Sequence, residues 1–221
     1  MKKNKKSLIF NLLIILFEII GFILTIKNNG KISFEYYTED SNILALGSSL
    51  LFCYYLIRKK DIPRNVQLFK YMTTICMTVT FLVVLFILIP MYKFDFNFFL
   101  FKGSLLYHHL ICPLLTIISF LFLDKLDDFK RKDTIIALSF TIIYAIILIT
   151  LNILGIVDGP YPFLMVRKQS IKMSLIWCII FTSFDYIIAL LLSGFKIMNE
   201  GGLLHGSVES KWIYKKNKKR K

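Results

Sequence analysis

The polar residues that could do chemistry in this chain lie within or beside long apolar stretches. His108 and His109 are adjacent, Thr38 lies in a polar turn, and Glu18 and Asp185 are isolated inside apolar runs. An imidazole is the usual proton acceptor near neutral pH, and a threonine hydroxyl reacts as a nucleophile only beside such a base. Ionisable groups at membrane depth are candidates for function.

The histidine pair is the first candidate because Pro113 follows it. A proline inside a helix cannot donate to the carbonyl four residues earlier, which here belongs to His109, and its ring pushes that carbonyl away. The expected kink would open a polar pocket beside an imidazole. Adjacent helical residues point about 100° apart, so only one histidine can face a given site. We select His109, with His108 as the alternative; a histidine that only ties helices together is the other interpretation.

Thr38 also has a structural interpretation. Ser, Thr and Asp near the start of a helix commonly cap it, and Thr38, Asp40 and Ser41 could each cap the second helix. Glu18 and Asp185 could pair with other buried polar groups or belong to a proton or ion path. The spacing leaves these alternatives open.

The elements that must position these residues are six apolar stretches. A membrane-spanning helix needs about 20 mostly apolar residues. The hydrophobic content of 56% and mean hydropathy of +0.64 exceed those of a soluble domain. We therefore predict an all-α, polytopic six-helix membrane bundle. The six stretches are Ser7 to Ile26, Ser41 to Ile57, Gln67 to Met91, Ser104 to Leu123, Thr134 to Leu154 and Met173 to Phe195.

The basic residues predict the orientation of the bundle. Of the 28 Lys and Arg, 21 fall in the two tails and the loops on one side, and 7 fall on the other. The positive-inside rule therefore puts both termini in the cytoplasm. Residues 1–196 form the transmembrane domain, and 197–221 form a basic tail expected to contact anionic head groups. A net charge of +14 spread over short turns does not indicate nucleic-acid binding.

Other features exclude several classes of protein. The amino-terminal lysines and apolar run imitate a signal peptide, but Glu18 and the missing cleavage site favour a retained helix. All four cysteines fall inside predicted spans without a CxxC pair, so we expect small buried residues and no disulfide framework, metal or cofactor. The Gly-x-Ser-x-Gly, P-loop and HExxH motifs of soluble hydrolases and nucleotide-binding proteins are absent from the sequence.

Three short motifs carry a resemblance. They are Tyr-Tyr-Thr-Glu-Asp-Ser-Asn at 36–42, His-His-Leu-Ile-Cys-Pro at 108–113, and Gly-Pro-Tyr-Pro-Phe-Leu at 159–164. All three fall at the predicted outer end of the bundle. In order and helix count the chain resembles the family of androgen-induced-gene and androgen-dependent TFPI-regulating proteins and its six-helix bacterial relatives. Animal members are membrane threonine hydrolases that cleave fatty acid esters of hydroxy fatty acids.

The resemblance implies an activity and the residues for it. It implies a lipid-ester hydrolase with Thr38 as the nucleophile and His109 as the base near the outer leaflet, and a pocket shaped by Tyr161 and Pro162. The family's spacing from histidine to proline suits His108 better than His109, so both remain open. An acyl-threonine intermediate would form and then be hydrolysed.

The hydrolase mechanism needs two further groups. Oxyanion donors could be Asn42, Tyr161 or the backbone N-H groups of 38–42. Asp40 and Asp158 are candidates for the carboxylate that orients the imidazole, but only because they are predicted to lie at the same depth in the membrane.

A different class of function stays open beside the hydrolase. In a non-enzymatic six-helix protein, such as a small transporter or a lipid-binding or scaffold protein, Glu18, Asp185 and the histidines would line a path or tie helices together. A transporter predicts a continuous polar path through Glu18 and Asp185. In either case membrane lipids are the expected partners. The abundance of Lys, Asn, Ile and Phe is typical of an AT-rich genome and favours a bacterial plasma membrane.

Overall fold

The computed structural model describes the backbone of residues 2–218 and the side chains of 4–199. Helices make up the regular secondary structure of this described part, which confirms the all-α class. Six helices are long and apolar enough to cross a membrane, as predicted. We label the helices α1 (Lys2–Asn29), α2 (Tyr37–Ile57), α3 (Arg64–Met91), α4 (Phe96–Phe101), α5 (Leu106–Leu123), α6 (Arg131–Ile153) and α7 (Ile171–Lys218), of which α4 alone is too short to span.

The helix boundaries follow the hydropathy pattern to within a few residues. The largest difference is at the end of α7, whose backbone is helical to Lys218 instead of ending near Phe195. Its apolar portion runs over Ile171–Asn199. The side chains of the predicted tail lie almost wholly outside the described residues, so the expected contact of that tail with head groups stays a prediction.

Two proline residues coincide with irregular turns in the helices. Pro113 follows a π-helical turn at Leu106–Ile111, and Pro90 follows one at Val84–Leu88. A π-helical turn adds a residue to the helical repeat and is one of the ordinary causes of a kink. The distortion expected next to Pro113 is thus present, and it contains both histidines.

α3 is the central helix of the bundle. It packs against α2, α5, α6 and α7, and it is the most buried of the spanning helices. Its buried face carries Tyr71, Ile75, Val79 and Val83. Outside α3, α1 packs against α2 and α5.

A cluster of buried polar residues joins the helices at one end of the bundle, which we call the N-terminal end. Asp124 directly follows α5 and is fully buried, and its Oδ1 accepts hydrogen bonds from Ser7 (2.5 Å), Asn11 (3.1 Å) and Ser119 (3.0 Å). We call Ser7, Asn11, Lys70, Ser119, Asp124 and Lys196 the lysine-aspartate cluster. Its members come from the starts of α1 and α3, which are the first and third spans, and from the ends of the apolar parts of α5 and α7, which are the fourth and sixth spans. The starts of odd-numbered spans and the ends of even-numbered spans therefore meet here.

Two cations complete this cluster. Nζ of Lys70 donates to Oδ1 of Asn11 at 2.8 Å, and Nζ of Lys196 donates to the backbone carbonyl of Asp124 at 2.5 Å. Both lysines are at most 2% exposed. Hydropathy and loop counting had assigned them to aqueous surfaces, and their burial inside a polar network was not predicted.

The cysteines follow the sequence expectation with one exception. Cys53, Cys76 and Cys112 are buried, but Cys178 is exposed. The expectation of burial is wrong for Cys178, which lies on a stretch of α7 where Leu175 and Ile179 are also exposed.

Candidate functional site

A cavity of about 260 Å³ lies at the end of the bundle opposite the lysine-aspartate cluster. Residues of α3, α6 and α7 form its walls, and the segment between α6 and α7 covers its end. Most of the lining is aliphatic or aromatic. The polar groups in the lining include Thr38, Tyr161, Thr141 and Asp185.

Thr38 reaches the cavity from the first turn of α2. The helix begins at Tyr37, and the residue before it caps the helix with no side-chain hydrogen bond. The expectation that Thr38, Asp40 or Ser41 caps α2 is therefore wrong, since all three lie inside the helix. The Thr38 hydroxyl is thus not occupied by capping.

The start of α2 is instead held by α6. The hydroxyl of Tyr144 accepts from the backbone N-H of Tyr37 at 3.1 Å and donates to the carbonyl of Glu35 at 2.7 Å. This tyrosine satisfies a backbone donor that the first turn leaves open. It fixes where Thr38 sits relative to α6.

Tyr161 is a polar neighbour of Thr38 in the cavity. The side chain and the backbone of Thr38 both interact with the Tyr161 hydroxyl. Burial raises the pKa of Tyr161 to about 12, and the hydrogen bonds from Thr38 oppose that rise. The phenol is therefore a neutral hydrogen-bonding group near neutral pH, and its ring stacks on Phe163 with centroids 5.1 Å apart. The structure thus brings the first and third motifs together at one end of the bundle.

Asp185 lies deeper in the same cavity. It is 2% exposed, and its Oδ1 has no hydrogen-bond partner among the described residues. Thr141 lies between it and Tyr37, whose hydroxyl is 2.7 Å from the Thr141 hydroxyl. Asp185 thus supplies a second polar position in an otherwise apolar lining.

His108 occupies a separate buried pocket between α1 and α2. Its Nε2 is 3.7 Å from a carboxylate oxygen of Glu18, and its Nδ1 is 3.9 Å from one of Glu39. The ring lies against Gly21 and packs on Phe22 with centroids 4.7 Å apart. An imidazole between two carboxyl groups can accept a proton on one nitrogen and release one from the other.

His109 faces a different way, as the helical spacing predicts. Its Nδ1 is 2.8 Å from the carbonyl oxygen of Phe99, and its ring stacks on the Phe99 ring. This contact ties α5 to the short helix α4. The two imidazoles meet different groups, which agrees with the expectation that only one of them can face a given site; the catalytic role of His109 stays a prediction.

Asn42 connects the Thr38 turn with the histidine helix. Its side-chain amide donates to the carbonyl of Thr38 at 2.7 Å and to the carbonyl of His108 at 3.2 Å. Within the described residues, neither imidazole is hydrogen-bonded to the Thr38 hydroxyl, and both histidines lie outside the cavity lining. The three predicted residues share one end of the bundle without forming a hydrogen-bonded triad.

The carboxyl groups beside the imidazole differ from the expected ones. Asp158 forms an exposed ion pair with Lys168, and the described contacts of His108 include no Asp40. Glu18 and Glu39 lie beside the imidazole, where the sequence predicts Asp40 or Asp158 because of their depth in the bundle. Glu39 is adjacent to Thr38 in the chain, but only the packing of α1 against α5 reveals Glu18.

Comparisons with family models, with curated proteins and with solved structures find no match to this chain. The resemblance to the threonine hydrolases therefore stays a prediction.

In the described part of the chain, no three His, Cys, Asp or Glu side chains are grouped to hold a metal ion.

Proposed function

We propose that this protein is a multi-pass membrane protein that holds an acyl chain of a lipid in its cavity and hydrolyses the ester with Thr38 as the nucleophile. The observation that supports this is that Thr38 lines a largely apolar cavity together with Tyr161, whose phenol is neutral near neutral pH. An apolar lining with a few polar groups near one end is typical of sites for amphiphilic ligands.

The proposed reaction has two steps. The Thr38 hydroxyl attacks the ester carbonyl carbon, an imidazole accepts its proton, and the alkoxide leaves with that proton as an alcohol. Water then attacks the acyl-threonine, which releases the fatty acid and restores the hydroxyl. Tyr161 is the candidate donor to the oxyanion in both steps, because the side-chain amide of Asn42 already donates to the carbonyls of Thr38 and His108.

The base is His109 or His108. The contacts favour His108, because Asn42 links its backbone to that of Thr38 and Glu39 lies beside its Nδ1. His109 is committed to the carbonyl of Phe99 through one nitrogen. Hydrogen bonds between catalytic groups are often long in empty sites and tighten when substrate binds.

The orientation and location form part of the same proposal. In this proposal the end with Thr38 faces outward and both termini lie in the cytoplasm of a bacterial cell; the excess of Lys and Arg in the tails and in the loops on the same side supports the orientation. Membrane lipids are then both the solvent and the source of the substrate.

A fluorophosphonate probe that labels acyl-transfer nucleophiles tests the proposal. The wild-type protein should be labelled, Thr38→Ala should abolish labelling, and Thr38→Ser should retain it because it keeps a hydroxyl. Thr150→Ala is the matched control, since Thr150 is an exposed threonine outside the cavity lining. His108→Ala and His109→Ala, compared in the same assay, identify the base. Equal labelling of the wild type and Thr38→Ala would contradict the hydrolase.

One observation favours a second, non-enzymatic function. Because neither imidazole is hydrogen-bonded to Thr38, the same cavity could serve a protein that binds lipid without cleaving it. A transporter has less support, since Glu18 contacts His108 while Asp185 lies with Thr141 in the cavity, and the two carboxyls share no contact in the described part of the chain. Lipid binding without any probe labelling would favour this second function.

A further inference from the structure

The side wall of the cavity has an opening between α6 and α7. Four cavity-lining residues on its two edges are also exposed to the surroundings of the bundle: Ile142 and Ile146 on α6, and Cys178 and Thr182 on α7. A residue that both lines a cavity and faces outward marks its rim. The rim therefore runs along the outer surface of two spanning helices.

The other route into the cavity is covered. After α6 the chain folds over the end of the cavity, and Tyr161, Phe163 and Leu164 line it from that side. Phe163 is buried and packs on Phe181 of α7 with centroids 4.3 Å apart. Access along the bundle axis would require this aromatic contact to break, whereas the side opening requires no such change.

The surroundings of the opening decide what passes through it. The outward faces next to the rim carry Ile143 and Ile147 on α6 and Leu175 and Ile179 on α7, each between 49% and 66% exposed. Such a surface on spanning helices contacts hydrocarbon. Along α7 the lining extends from Ser174 to Asp185, about 16 Å at about 1.5 Å per residue. The lining is therefore elongated along the helix, as the shape of an acyl chain requires.

We propose that the gap between α6 and α7 is a lateral portal through which an acyl chain of a bilayer lipid slides from the membrane into the cavity. This proposal rests on the proposed function for its ligand class, but it needs no catalysis. It commits to lipid already in the membrane as the source; a chain arriving from water would have to pass the covered end.

Cys178 provides the experiment, because it is exposed on the portal rim while Cys53, Cys76 and Cys112 are buried. The intact protein is reconstituted in vesicles with a phospholipid that carries a photoreactive diazirine in its acyl chain. We expect cross-links to the cavity-lining residues of α6 and α7, and their loss after Cys178 is alkylated with pyrenyl maleimide. Treated Cys178→Ala should cross-link like the untreated protein.

Two engineered thiols in the Cys178→Ala background distinguish a block at the portal from a general effect of a bulky group on the protein surface. Alkylated Ile146→Cys, on the opposite edge, should again abolish cross-linking. Alkylated Thr150→Cys, exposed on the same helix but outside the lining, should leave it unchanged. The portal would be overturned if cross-linking were undiminished both after alkylation of Cys178 and after alkylation of Ile146→Cys. An equal loss of cross-linking in alkylated Thr150→Cys would also overturn it.

The outcome is independent of hydrolysis because cross-linking reports entry of the acyl chain, whereas fluorophosphonate labelling reports the nucleophile. Blocked cross-linking without fluorophosphonate labelling would retain the portal and reject the hydrolase. Labelling that depends on Thr38, together with unblocked cross-linking, would reject the portal and retain the hydrolase.

Discussion

Substitution of Asp124 by asparagine tests the most heavily bonded polar group in the described bundle. The change keeps the volume of the side chain but removes the charge. The amide oxygen of the asparagine can still accept from Ser7, Asn11 and Ser119, so the measured loss is that of the negative charge in a cluster that holds two buried lysines. Removal of one partner from a buried charged cluster costs about 3–5 kcal/mol. For a chain of this length that corresponds to a fall in the unfolding midpoint of roughly 6–20 °C.

Thermal unfolding of the purified protein in detergent, followed by loss of helical circular dichroism, measures this fall. Asp158→Asn is the control, because Asp158 belongs to an exposed ion pair with Lys168 whose loss should cost less than about 1 kcal/mol. Since Lys70 contacts the cluster through Asn11, Lys70→Met added to Asp124→Asn should recover part of the loss. Equal midpoints for the two single variants, or no recovery in the double variant, would refute the electrostatic reasoning.

Two further predictions concern the opposite end of the bundle. A methyl group at Gly21 would lie 2.6 Å from Cδ2 of His108, so Gly21→Ala should lower the free energy of unfolding by about 1–3 kcal/mol in the same assay. Gly194→Ala is the control, because nothing lies within 4 Å of the added methyl group; it should be neutral or stabilise the fold by up to about 1 kcal/mol. Equal effects would contradict the packing described for His108. Tyr161 has a pKa of about 12 when folded against about 10 unfolded, so it stabilises the fold below pH 10 and loses that contribution as the pH rises to 12. Tyr161→Phe should reduce the fall in stability between pH 10 and 12, whereas Tyr92→Phe, at an exposed tyrosine, should leave it unchanged. Equal slopes of stability against pH for the two variants would contradict the prediction.

The sequence was sufficient to predict the spanning helices and the level of the polar motifs. Hydrophobic runs of sufficient length must form helices in a bilayer, because only internal hydrogen bonds satisfy the backbone there. The alternation of the helices then puts residues 36–42 and 159–164 at one end. The contact between Thr38 and Tyr161 follows that prediction.

The direction of each side chain could not be predicted from spacing. The π-helical turn at Leu106–Ile111 changes the angular relation between residues before and after it, so the spacing separates the two histidines but does not say which neighbours each one meets. The neighbours also depend on helix packing: Glu18 meets His108 only because α1 lies against α5. An apolar run carries little information about which helix it will contact.

Lys70 shows a second limit of sequence reasoning. In the count of basic residues it belongs to a loop, yet it is fully buried and donates to Asn11 and Ser49. A long side chain near a helix end can extend to water or turn into the bundle, and only the presence of acceptors inside decides which. Those acceptors come from α1 and α2, far away in sequence.

The two ends of the bundle differ in how well their polar groups are satisfied. At the N-terminal end, Asp124 Oδ1 and Lys70 have several partners each, while Asp124 Oδ2 has none among the described residues; the bonded groups favour one fixed arrangement of helices. At the other end, both ring nitrogens of His108 and an oxygen of Asp185 lack hydrogen-bond partners among the described residues. Buried polar groups without partners destabilise a fold unless something else binds them. The well-bonded end can offset that cost, so the end with Thr38 is where we expect a ligand to complete the hydrogen bonding.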